Sequence, residues 1–407
     1  MAAPSISRSL KTSLRGHFNG LEGLNNRVAY KLHRALISSF TALGLERLLL
    51  NQPFSAEEWP DLVSNFTLLY PAETVDLNTP GRPFTSDPFL RSCQDIVEGY
   101  LSRAAIFTCE VNTAKFFPKN GLVFDARWHV VVESVLDHQR YYSFRKTFRP
   151  RSITKRSGFF SSIQHPWHDN NWHWTADSLP QLRSLELHMQ GRPLTLLMSS
   201  EVGPVHRSSL EAILPKNFSL EYVDPGRWFE LETFVLPSYV SSRASACFPQ
   251  DYFDFIRCRT HLALGTPKPA IATGRYYISR GRAGHRRLIN EDEVFALIAS
   301  FGFKKIFMED YTFAEQVALM RNAEAILSPH GAGLGSIIYG ENLKVCVLYP
   351  EARPAGYFYT LAVGAGHQHF CTNSNVTEHD DFMVNLDALR RVLTDEMNLS
   401  RSPNPNM

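Results

Sequence analysis

The sequence has no uninterrupted apolar run of about 18 residues, the length a bilayer-crossing helix requires, so no segment is expected to span a membrane. Nor does it carry an excess of either charge: 42 Lys and Arg stand against 40 Asp and Glu, a formal net charge of +2. That balance excludes a chain built to hold nucleic acid or an acidic polymer through its bulk field, so any basic site must be local. The six cysteines (Cys93, Cys109, Cys247, Cys258, Cys346 and Cys371) include no Cys-x-x-Cys pair. Most lie in apolar surroundings, which reads as reduced thiols in a cytoplasmic protein rather than a disulfide framework. Residues 1–20 are polar and basic and lack the apolar stretch of a secretory signal. Four Asn-x-Ser/Thr sites, at Asn65, Asn217, Asn375 and Asn398, are no more than chance supplies and carry no weight.

What is present suffices for substantial cores: 44% of the residues are hydrophobic and 12% aromatic, and a length of 407 predicts two or three domains. Residues 32–50 read as an amphipathic helix, better explained by packing within a domain than by a surface anchor. Prolines at 60, 71, 80, 83 and 88 make the following segment loop-rich, with brief strands at best. From Gly121 onward the pattern sharpens into strands at 122–124 and 130–132 around an Asp125-Ala-Arg127 turn. The basic, aromatic stretch 140–156 is a solvated face, with contact to an acceptor or to the inner face of a membrane as the sharper alternative. Asn170 or Asn171 can cap a helix that carries His173 and Asp177 four residues apart on one face, and Pro180 should break it. Trp172 and Trp174 read equally as sugar-stacking rings or as core. Strands follow at 194–198 and 229–236 with a short helix at 209–214 between them. Residues 237–272 mix Ser, Pro and short apolar runs and look like a connection between domains.

The last third alternates strand and helix: strands at 275–279, 304–308, 325–328 and 345–349, with helices at 291–301, 313–321 and 333–339 between them. Thr312 and Glu315 have the spacing of a capping box, and Asn290 with Glu293 that of a cap. The alternation predicts a parallel, Rossmann-like sheet whose ligand lies beyond the carboxyl ends of its strands. Those ends carry residues 280–287, 309–312, 329–333 and 350–353. The loop at 329–335 holds three glycines in five residues, Gly331, Gly333 and Gly335, directly before a helix. Glycines allow close backbone approach, and a helix N-terminus favours an anion such as a diphosphate. His330 stands where a donor or cation would face that anion. Arg280, Arg282, His285, Arg286 and Arg287 supply up to five cations at an adjacent strand end, and arginine binds diphosphate through paired, charge-assisted hydrogen bonds.

In these residues the chain resembles glycosyltransferase family 61. The resemblance rests on Ser279-Arg280, Arg286-Arg287, Asn290-Glu291, Phe313 to Gln316, and His330-Gly331-Ala332-Gly333-Leu334, together with Asn170 to His173 and Asp177 to Pro180. It covers residues 120–372, with the motifs in one order. The family often has Thr-Asn after the glycine motif, where this chain has Gly335-Ser336, and Glu in the next strand, where it has Val347. The resemblance implies an α/β GT-B fold, in which two Rossmann-like domains face a central cleft. On that scheme residues 1–240 form the acceptor-side domain, 241–272 a connection, 273–375 the nucleotide-sugar domain and 376–407 a C-terminal helix and tail. It implies inverting transfer from a nucleotide sugar, usually UDP-linked, to a hydroxyl of a glycan or other acceptor.

The donor-binding candidates are then Arg280, Arg286, Arg287, Asn290, Glu291, Thr312, Gln316, His330, Gly331, Ala332 and Gly333. Inversion needs a base on the acceptor side, for which His173 and Asp177 are the candidates. No cofactor is expected beyond the donor, and no metal, since the basic loop supplies the charge and no Asp-x-Asp is present. Three rivals are weaker. An esterase oxyanion loop would need a Gly-x-Ser-x-Gly elbow, which is missing. A metal site from His165, His168, Asp169 and His173 fits no standard spacing. A non-catalytic sugar-nucleotide-binding protein would share the donor loop without hydrolysing the donor.

Overall fold

The computed structural model describes residues 51–54, 63–76, 100–135, 150, 152–240, 246–265, 274–350, 355–376 and 381–401. The amphipathic segment 32–50 and most of the basic stretch 140–156 lie outside the described residues. The chain is a mixed α/β protein with two large sheets.

In the first half, strands β1 (Asn51–Phe54), β2 (Ser64–Tyr70), β5 (Ile106–Phe117), β6 (Leu122–Phe124), β7 (His129–Val131), β8 (Thr154–Ser161), β9 (Leu194–Ser199), β10 (Phe218–Val223) and β11 (Phe229–Pro237) form one sheet. Its order is β1-β7-β6-β5-β11-β8-β9-β10, with β2 on β5; β3 (Glu73–Asp76) and β4 (Tyr100–Arg103) make a separate pair. Strands β11, β8, β9 and β10 run parallel, and β5 is antiparallel to β11. Asp125 closes the β6–β7 turn by accepting from the backbone of Arg127 and His129, both at 2.8 Å.

Helix α1 (Asn171–His173) begins where Asn170 accepts from the backbone N–H of Trp172 at 3.0 Å. It widens into a π-helical turn (Trp174–Ser178), and Pro180 then stands as the N-cap residue of α2 (Gln181–Met189). The wider turn absorbs the proline by shifting the hydrogen-bond pattern instead of leaving a carbonyl against its ring. Helix α3 (Pro204–Ile213) connects β9 to β10, with Pro204 in its first turn, where a missing N–H costs nothing. The stretch expected to connect two domains contains α4 (Gln250–Leu264), 15 residues long. Its Arg257 donates to the carbonyls of Ile338 and Ala365, tying the helix to the second half.

The second sheet comprises β12 (Gly274–Ile278), β13 (Phe303–Ile306), β14 (Ala323–Pro329), β15 (Lys344–Pro350), β16 (Gln368–Val376) and β17 (Phe382–Val384). Helices α5 (Glu291–Ala299), α6 (Phe313–Arg321), a 3-10 helix (Ala332–Tyr339), α7 (Tyr357–Gly364) and α8 (Leu386–Arg391) surround it. The order is β13-β12-β14-β15-β16-β17, parallel except for β17. Taking the five parallel strands in chain order, the arrangement is second-first-third-fourth-fifth. It reverses direction between β12 and β14, the place where such sheets hold ligands.

Side-chain alternation sorts the sheet's two faces. Ile278, Ile326, Val345 and Val347 join a cluster that also holds Trp174, Leu179, Leu196, Phe253 and Leu334 from both halves of the chain. Tyr277, Leu327, Cys346 and Leu348 face the other way, against Val294, Ile298, Leu389 and Leu393. The two halves therefore share one continuous apolar interior.

Candidate active site

At the reversal between β12 and β14 a cleft of about 320 Å³ opens. Ile278, Ser279, Arg280, Gly331 and Gly333 form one wall, and Asn171, Val205 and His206 from the first half stand opposite. The 3-10 helix Ala332–Tyr339 starts in this cleft with no side chain capping it, so its first N–H groups point where an anion would be stabilised. Gly331 is extended at φ −175° and needs no special conformation; it needs space. A Cβ there would lie 2.2 Å from Nη1 of Arg280, so the guanidinium packs directly on the glycine backbone.

Arg280 donates to the carbonyl of His285 at 3.2 Å, while its buried Nε finds no acceptor. Burial and the neighbouring Arg286 cation push its pKa down to about 10, with Glu309 partly offsetting them. A guanidinium destabilised in this way gains most from an incoming anion. Arg286, at φ +57°, sends Nη1 to Nδ1 of His330 at 2.8 Å. Arginine only donates, so Nδ1 is the accepting nitrogen and Nε2 carries the proton toward the Tyr357 hydroxyl, 2.7 Å away. His330 is buried between rings of Tyr349, Tyr357 and Phe358. Its geometry is that of a post holding Arg286 rather than of a cation facing the cleft.

The remaining donor-side residues divide. Gln316 lines the cleft and donates to the carbonyls of Met308 and Tyr311 at 3.0 and 3.2 Å, fixing the turn after β13. Ala332 accepts from Asn171 at 3.2 Å, and Gly333 lies against Ile278 and Met308. The others turn away. Arg287 forms two hydrogen bonds to Asp381, at 3.0 and 2.8 Å. Asn290 makes no cap bond; it brackets Val384, donating to its carbonyl and accepting from its N–H. Glu291 accepts from Tyr277, Ser279 and Lys305, with Lys305 the largest influence lowering its pKa against the opposing effect of burial. Thr312 forms the capping box with Glu315. Arg287, Asn290 and Glu291 brace the turn that carries Arg280 and Arg286, while Thr312 caps α6.

Opposite the glycine loop, His173 Nδ1 lies 2.6 Å from Asp177 Oδ2; the carboxylate is buried and the imidazole one-third exposed. The ring stacks on Trp167 at 5.6 Å. The pair occupies the helical segment whose Asn171 reaches Ala332, and neither residue is part of the cleft wall. Trp172 and Trp174 are both core rings, the first against Tyr357 and Phe358. Trp174 lies flat on His206 at 4.8 Å. Burial lowers the His206 pKa to about 4, with His168 adding to the effect, so its ring is uncharged at neutral pH. No sequence pattern marks His206; Ser279 belongs to the Ser279-Arg280 motif and Glu309 to the strand-end stretch 309–312, and the fold brings the three to one cleft. His165 and His168 are engaged locally, His165 Nδ1 accepting from the Trp167 N–H. Among the described residues no three His, Cys, Asp or Glu side chains form a metal-binding group. The described cysteines are all free thiols, and no described helix is long and apolar enough to cross a membrane.

The family model Glycosyltransferase 61 matches residues 172–347, the span from the helix bearing His173 to the strand after the glycine loop. No curated protein matches the chain. A similar solved structure is the iron-containing dodecameric glycosyltransferase TibC from enterotoxigenic E. coli H10407. It is 12% identical, the match covering 74% of this chain and 79% of that one at a TM-score of 0.28, too low to carry an argument.

Proposed function

From the premise that this chain is a member of glycosyltransferase family 61, we propose that it transfers a sugar from a nucleotide sugar, UDP-linked, to an acceptor hydroxyl with inversion and without a metal. The observation that supports this reading best is Arg280. It is a half-buried guanidinium whose buried Nε is unsatisfied, laid on Gly331 at the uncapped start of a helix and at the sheet's reversal point. That combination suits a diphosphate leaving group: donors are already aimed at it, and little has to reorganise as charge develops. Arg286, steadied by His330, adds a second cation. The two halves act as the facing Rossmann-like parts of a GT-B arrangement, the first half presenting the acceptor.

On the helical segment whose Asn171 lines the cleft, the His173–Asp177 pair is the proposed base. Asp177 holds Nδ1 protonated, leaving Nε2 to take the acceptor proton as the acceptor oxygen attacks the anomeric carbon and the diphosphate departs from the opposite face. A glycan acceptor in polysaccharide assembly is the substrate class we assign.

Titrating UDP into the wild type and Arg280→Ala in EDTA tests the reading. Wild-type binding is expected without metal, and loss of a charged hydrogen-bond donor should weaken it about 10- to 100-fold. Equal affinity in the two proteins, or binding and turnover that appear only with Mn²⁺, would overturn it.

A further inference from the structure

The first half brings a second helix start to the same cleft. Strands β9 and β10 are parallel neighbours, so the chain must cross over between them, and α3 is that crossover. Its first turn stands beyond the carboxyl end of β9, where Val205 and His206 line the cleft opposite Arg280 and Gly331. No side chain caps this helix, and Pro204 at its start brings no N–H. Arg207 is the first residue of α3 whose N–H is used, bonding the Gly203 carbonyl at 2.9 Å. Among the described residues nothing accepts from the backbone N–H of Val205 or of His206.

His206 adds an independent observation. The residue is only 9% exposed, yet neither ring nitrogen has a hydrogen-bond partner among the described residues. Its imidazole lies flat on Trp174, whose Nε1 donates to Ser209 at 2.7 Å, and its free edge faces the cleft. Burial keeps the ring uncharged at neutral pH, with His168 adding to that effect and Asp169 opposing it, so one ring nitrogen carries a hydrogen.

The donors decide what this wall can hold. The Val205 and His206 backbone groups only donate, and the imidazole offers a further hydrogen. A hydroxyl has two lone pairs and brings a donor of its own, so it leaves this set unsatisfied; the oxygens of an anion take all of it. Charge then selects among anions. A helix start is equivalent to about half a positive charge. Arg207, the arginine of this turn, is directed to the carbonyls of Val202 and Ser200 and lies over the Tyr222 ring. A single negative charge is balanced here, and a phosphate dianion is not. The donor's diphosphate is met on the opposite wall by Arg280 and the start of the 3-10 helix. A carboxylate is the group that fits the α3 side, and a sugar that carries one is a uronic acid.

We propose that the α3 start and His206 bind the carboxylate of a uronic acid, so that one of the sugars joined in this cleft is acidic. The inference rests on the donor reading above and adds the class of sugar. The carboxylate belongs to the donor's sugar or to the acceptor, and both bring the same chemistry to the same wall.

Calorimetry in EDTA separates these sources. One arm compares UDP-glucuronate and UDP-galacturonate with UDP-glucose and UDP-galactose. The other, at saturating UDP, compares the methyl glycosides of the same acidic and neutral sugars. In one arm the wild type should prefer an acidic sugar by about 10-fold or more, the scale of hydrogen bonds to a charged group at a helix start. The arm that shows the preference names the source. His206→Phe keeps a flat ring against Trp174 and removes the N–H, so it should lose most of the preference. His206→Gln keeps a donor and should retain most of it, and melting curves show that both variants fold. No preference in either arm overturns the inference and leaves the donor site standing. So does a His206→Phe variant that weakens UDP itself as much as the acidic sugar, because the α3 start would then serve the diphosphate. If UDP does not bind the wild type, the donor reading falls first and the inference with it.

Discussion

At the scale of single residues, the pair proposed as the base is His173 and Asp177. The 2.6 Å contact joins a buried carboxylate, suited to orienting, to an imidazole that is one-third exposed. Both His173→Ala and Asp177→Asn should lower kcat by about 100-fold or more while leaving the UDP Kd within about twofold, since neither side chain lies on the donor wall. Single-turnover rates and calorimetric Kd values measured on the same preparations check this. Near-wild-type turnover in both variants would move the base elsewhere, and His206, the titratable side chain facing the cleft from the first half, would be tested next.

At the scale of elements, local signals were legible and long-range partners were not. The Thr312–Glu315 box closes within one helical turn, so its spacing alone predicts it. Asn290 looks like a cap by the same logic, yet it pairs with Val384, and Arg287 pairs with Asp381; both partners lie 94 positions further on. No pattern in neighbouring residues carries that information. Helix α4 was missed because its register of Phe253, Phe255 and Ile256 is broken by Arg257, Arg259 and His261, which bond to the second half or to other helices. The Gly335-Ser336 departure also has a local meaning. Gly335 backs onto α1, where an added Cβ would meet the Asn171 carbonyl at 3.1 Å and Thr175 Oγ1 at 3.3 Å. Ser336 donates to Gln316 at 3.3 Å and accepts from Asn171 at 3.4 Å. Gly335→Ala should therefore force α1 away from the 3-10 helix and cost about 1–3 kcal/mol, as overpacking does. Urea unfolding of the variant gives the value, and unchanged stability would show that the seam is looser than its distances imply.

At the scale of the whole molecule, buried imidazoles contribute to the response to acid. His165 is lowered to about 3, His206 and His367 to about 4, each chiefly by burial. The folded pKa lies below the unfolded value near 6.5 in each case. The unfolded chain thus takes up protons below pH 6.5 that the folded chain refuses until about pH 4, and stability present above 6.5 declines across that window. Each group contributes at most about 1.4 kcal/mol per pH unit. The melting temperature should fall between pH 7 and pH 5, and His206→Gln should make that fall shallower. Parallel profiles for the two proteins would show that His206 does not contribute.

The apolar cluster running from Trp174 and Leu196 through Phe253 to Ile326 and Val345 also governs how ligands come and go. A hinge between the halves would have to tear this interior open, and each Å² of apolar surface exposed costs about 25 cal/mol. The two halves are therefore expected to stay together through turnover, with ligands coming and going at the cleft and not by a swing of one half away from the other.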